Sequence, residues 1–108
     1  MTSFRFNPRP TTWVTVRLNV PAEDGPQVQT FRAKFLILPQ EERNRLGTLD
    51  GKAGLEQVWL DWQEIADVDG KPIPYSDALR AELLEFDYVL LGVADAYARA
   101  MMGIEAKN

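Results

Sequence analysis

Trp13-Val14-Thr15-Val16-Arg17-Leu18-Asn19-Val20 decides the fold class. Val14, Val16, Leu18 and Val20 fall on one side of an extended chain and Trp13, Thr15, Arg17 and Asn19 on the other, the alternation of a half-buried strand. Pro21 ends the run. Ala22-Glu23-Asp24-Gly25-Pro26 follows as a turn, because Asp-Gly tolerates positive backbone angles and the flanking prolines cannot continue a ladder. A second strand is expected from Gln27 to Leu38, with Phe31, Ala33, Phe35 and Ile37 on one face and Thr30, Arg32 and Lys34 on the other. A lone hairpin is marginal in water, so its apolar face needs helices or more sheet to cover it.

The rest of the chain supplies helical patterns. Pro39 suits a first helical turn, Gln40, Glu41 and Glu42 suit the positive end of the helix dipole, and Gly47 offers a stop. A longer helix is expected from Asp50 to Val68, since Leu55, Val58, Trp59, Trp62 and Ile65 recur at spacings of three and four. Asp69-Gly70-Lys71-Pro72-Ile73-Pro74 breaks it. Ser76 is a good N-cap for a third helix from Asp77 to Leu84, with Leu79 and Leu83 inward, and a last helix runs from Phe86 to Gly103. The expectation is an α+β fold: an N-terminal antiparallel hairpin followed by about four α-helices packed on it. Residues 1–108 form one domain, with residues 1–11 a flexible amino-terminal segment.

Composition narrows the function. Twelve Lys and Arg stand against sixteen Asp and Glu, a net charge of -4 that disfavours nucleic acid and anionic membrane surfaces as partners. Cysteine is absent, which removes disulfides and thiolate metal sites and points to a cytoplasmic setting. Residues 1–10 lack the apolar core of a secretory signal, and Asp87, Asp95 and Arg99 interrupt the stretch from Phe86 to Met102, which does not read as a membrane span of ~20 apolar residues. Histidine is absent too, and no nucleophile elbow, phosphate loop or metal-ligand spacing occurs, so no catalytic residue, cofactor or metal is expected. Asp67, Asp69 and Gly70 have the spacing that opens a calcium loop, but no carboxylate stands where the twelfth ligand belongs, and a turn after a helix is the better reading. Asp61 and Glu64, one helical turn apart, read as a solvated face, as do Arg17, Arg32 and Lys34 on the outer side of the hairpin.

The last helix differs. Val89, Leu90, Val93, Tyr97 and Met101 make one apolar stripe, while Tyr88, Leu91 and Met102 spill beyond it. One core face cannot bury them all, so Tyr88, Leu91, Asp95 and Met102 are the candidate protein-contact residues. The hairpin edge, open to strand addition, is a second candidate, and self-association is permitted.

Two blocks resemble the tail assembly chaperones of long-tailed phages and prophages. The first is Thr30-Phe31-Arg32-Ala33-Lys34-Phe35 leading through Leu38-Pro39-Gln40-Glu41-Glu42. The second runs from Asp61-Trp62 through Asp67-Val68-Asp69-Gly70-Lys71-Pro72-Ile73-Pro74-Tyr75-Ser76 to Leu79, Leu83 and Leu84, and Ala96-Tyr97 adds to it. The resemblance implies a non-virion protein of the host bacterial cytoplasm that binds the tail tape measure protein, keeps it soluble and helps recruit tail tube protein subunits. The alternative is a structural minor tail or head-tail connector protein.

Overall fold

A computed structural model describes residues 2–46 and 51–104. Among them are a three-stranded antiparallel sheet and four helices, an α+β fold. Strand β1 (Thr11–Val20) pairs with β2 (Gln27–Leu36), Val14 opposite Ala33 and Val16 opposite Phe31, so the apolar sets of both strands share a face. The turn between them is closed by the Gly25 N–H on the Ala22 carbonyl at 3.0 Å, with Gly25 at a φ of +107° that glycine alone adopts freely. Helix α1 (Gln40–Leu46) starts directly after Pro39, and its Glu42 carboxylate takes both oxygens to Arg9, at 3.0 and 2.9 Å. The Gly47 stop and the Asp50 start lie outside the described residues.

The long tryptophan helix expected from Asp50 to Val68 does not form. Helix α2 (Lys52–Val58) ends after two turns, and the chain continues as strand β3 (Trp59–Gln63), paired antiparallel with β2. Trp59 and Trp62, three apart, would face opposite sides of a regular strand. A bulge corrects this: Arg32, Ala33 and Lys34 pair with Gln63, Trp62 and Asp61, but Phe35 pairs with Trp59, leaving Leu60 as the extra residue. Both indoles thereby reach the core, Trp59 against Phe31 at 5.6 Å and Trp62 at 5.4 Å from Trp59. A bulged strand has imitated the helical spacing.

The turn after β3 therefore closes a hairpin and does not end a helix. Ala66 bridges Pro72, the Ile73 N–H donates to the Ile65 carbonyl at 2.8 Å, and the Asp67 side chain accepts from the Asp69 and Lys71 amides at 2.9 and 3.0 Å. Helix α3 (Asp77–Leu83) is capped by Ser76, whose hydroxyl accepts from the Leu79 amide at 3.1 Å. Leu79 and Leu83 are half-buried, and Leu84, just past the helix, is the deeper residue. Helix α4 (Asp87–Met101) ends at Gly103, at a φ of +73°, in a pair of bonds from Gly103 to Ala100 and from Ile104 to Arg99 that marks a Schellman motif.

Helix α4 holds the molecule together. It lies on β1 with its amino-terminal half by Arg17 and Leu18 and its carboxy-terminal end by Thr12 to Val14. The approach is close because Gly92, Ala96 and Ala100, four apart, present almost no side chain to the sheet. A Cβ at Gly92 would stand 2.5 Å from Leu18 Cδ2 and 2.8 Å from the Arg17 carbonyl oxygen. One turn beyond Val93, Tyr97 is buried edge-on to Phe35, ring centroids 5.2 Å apart. Its hydroxyl donates to the Leu36 carbonyl at 3.0 Å and accepts from the Leu38 amide at 3.2 Å, which satisfies the backbone where β2 ends.

Gly92→Ala should lower stability by about 1–3 kcal/mol, because backbone cannot move aside as a flexible side chain could and the gain in helix propensity is smaller. Tyr97→Phe should cost about 1–3 kcal/mol, since it leaves a buried amide and a buried carbonyl unpaired. Urea denaturation midpoints of both variants check these values.

Candidate protein-binding surface

Rotation around α4 separates two surfaces. Val89, Val93 and Tyr97 face the core with Gly92, Ala96 and Ala100, and Leu90 and Met101 are half-buried at its margin. Leu91 and Met102 stand on the opposite side, 69% and 68% exposed, more than two thirds of each side chain left in water. Residues 88, 91, 95 and 102 are spaced by three, four and seven, so they line up along one face of a helix.

The four sequence candidates are thus brought together, with different environments. Asp95 is exposed and paired with Arg99 one turn on, at 3.2 Å, so the face carries a local ion pair beside its apolar residues. Tyr88 is half-buried, 6.0 Å from the ring of exposed Phe86. Arg17 and Asn19 of β1 join Tyr88, Leu91, Gly92 and Asp95 around an open cleft between strand and helix. With Gly92, Ala96 and Ala100 buried beside Val89, Val93 and Tyr97, Leu91 and Met102 remain as surplus apolar surface on the far side.

The hairpin edges are less open than the pattern of two strands implies. β3 occupies the outer side of β2 from Arg32 to Phe35. The Ile37 amide donates to Pro10, so by alternation Arg17 points its backbone away from β2, and it is there that α4 comes within contact of the Arg17 carbonyl. Strand addition along β1 would meet the helix.

The charged candidates also change character. Arg17 is exposed, but Arg32 is half-buried and donates to Thr15 Oγ1 at 2.9 Å, and Lys34 lies across from Asp61 in the β2–β3 pairing. Asp61 and Glu64 do not share a helix face: the Asp61 carboxylate accepts from the Trp62 amide at 2.8 Å, and Glu64 leaves the strand at a φ of +68°. Among the described residues no group of three or more His, Cys, Asp or Glu side chains could hold a metal ion, and no helix is long and apolar enough to cross a membrane.

No family model, curated protein or solved structure matches this chain. The surface offers two exposed apolar side chains, Leu91 and Met102, a half-buried aromatic at Tyr88 and the Asp95–Arg99 ion pair between them.

Behind the surface, a second aromatic group ties the β3 hairpin to α3. Trp62 donates its indole N–H to the Ile73 carbonyl at 2.8 Å and meets Tyr75 edge-on at 4.9 Å, while Arg80 reaches back to the Trp59 carbonyl at 2.7 Å. Burial and the hydrogen bond to Asp77 push the Tyr75 hydroxyl up to about 12, and burial also raises Tyr97. A tyrosine with a raised folded-state value keeps its proton while the unfolded chain begins to lose it near pH 10, so stability is intact below that and falls as pH rises. Chemical denaturation from neutral pH to pH 12 should show a decline beginning near pH 10 that becomes shallower in Tyr75→Phe and in Tyr97→Phe.

Proposed function

We propose that this chain works by binding protein, as a tail assembly chaperone of a long-tailed phage or prophage. In this reading it acts in the host bacterial cytoplasm, engages the tail tape measure protein, keeps it soluble, assists recruitment of tail tube subunits and is not retained in the virion. The observation that carries the reading is the exposure of Leu91 and Met102 on the outer face of α4, in a helix whose other side is already committed to the core. A chaperone of this kind needs apolar surface to mask another chain and enough charge to stay dispersed, and the net charge of -4 supplies the second. The resemblance of the hairpin and Trp62-to-Leu84 blocks supplies the partner.

The test is co-expression with the tape measure protein, followed by pull-down and a solubility assay. The intact chain should yield a soluble complex and be absent from purified virions by mass spectrometry. Leu91→Asp should leave the fold within ~0.5 kcal/mol of the parent while weakening the complex at least about tenfold. Tape measure protein that stays insoluble beside the intact chain, or Leu91→Asp that unfolds it, contradicts the reading.

A further inference from the structure

The amino-terminal arm ends in an unusual display. Phe4 is 88% and Phe6 77% exposed, the two rings 6.3 Å apart, with Arg5 between them and without an ion-pair partner among the described residues. Phe6 lies by Ile37, Leu38 and Pro39 of its own chain, whereas Phe4 extends beyond. At the opposite end of the sheet, a crevice of about 150 Å³ opens between Leu18, Val20, Phe31, Leu83 and Val89. It is an open groove with Gln29 and Thr30 also on its wall, and its apolar side offers an aromatic ring a face to pack on. Glu64 is the single charged residue lining it, exposed, unpaired among the described residues, and held in the left-handed region that side chains other than glycine seldom occupy.

Arm and crevice carry opposite charges, Arg5 and Glu64, but cannot meet within one molecule. Arg9 is fixed to Glu42, which leaves five residues to Phe4, at most ~18 Å of extended chain. From Pro10 to Leu18 the strand alone runs ~26 Å, and an arm doubling back would lose further length in the turn. A second copy escapes this limit. We propose that two copies of this chain exchange arms, Phe4 of each seating in the crevice of the other with Arg5 against Glu64. Charge complementarity favours this occupant: the arm, residues 2–9, carries no acid and its Arg5 has no ion-pair partner among the described residues, while Glu64 is the one charge lining the crevice. Reciprocal seating closes a two-fold dimer.

Sedimentation velocity of the full chain, over a dilution series from submillimolar to micromolar, reads the association directly. The parent should reversibly dimerise, and Phe4→Ala should weaken the dimer at least about tenfold without changing the circular dichroism spectrum. Arg5→Glu and Glu64→Lys should each weaken it, and combining them should restore much of the loss, because the pair is rebuilt with its signs exchanged. A parent that stays monomeric throughout, a dimer indifferent to Phe4→Ala, or a double variant no tighter than the single ones overturns the proposal. Tyr88 borders both surfaces, but Phe4, Arg5 and Glu64 lie off the outer face of α4, so their variants read the dimer separately from tape measure binding.

Discussion

Tyr97 stands where α4 passes the end of β2, its ring edge-on to Phe35 and its hydroxyl bonded to both Leu36 and Leu38. The chain leaves the sheet at that point, and its carbonyl and amide would otherwise lack partners, at a cost of about 1–3 kcal/mol together. One side chain meets both needs. The same contact fixes how far α4 can slide along β1, and with it the close approach at Gly92. Helix and sheet are thus locked at both ends, by a hydrogen-bonding aromatic at one and by the absence of a side chain at the other.

That lock has a consequence for the surface. Because α4 buries small residues at Gly92, Ala96 and Ala100, the helix lies close to β1 and its larger apolar residues at 91 and 102 are turned to water. The arrangement also leaves β1 poorly suited to accept another strand, since the helix meets its outer edge. Of the two surfaces the hairpin and helix offer, the helix is the freer one, with Leu91 and Met102 exposed on it.

Much of this was legible in the sequence. The alternation from Trp13 to Val20 and the apolar set from Phe31 to Phe35 are period-two patterns with one buried face, and Ser76 and Gly103 are local signals that act within a turn of chain. The candidate face of α4 was legible for the same reason, since residues 88, 91, 95 and 102 share a helical line whatever packs behind them. The third strand was not. Trp59 and Trp62 have helical spacing, and only the pairing with Lys34 and Phe35, far away in sequence, creates the bulge that lets a strand show both indoles to one side. The close contact at Gly92 and the bonds of Tyr97 were hidden likewise, because each depends on what lies across the interface. The periodicity of Gly92, Ala96 and Ala100 was the one available signal, a row of small residues at a spacing of four.

The outer face of α4 is the proposed working surface, and hydroxyl-radical footprinting of the chain, alone and mixed with the tape measure protein, tests that proposal most directly. Leu91 and Met102 should be modified readily in the free chain and become protected in the complex, while Trp59 and Tyr97 stay protected in both. Equal modification of Leu91 and Met102 in the two states, or protection of both already in the free chain, would contradict it.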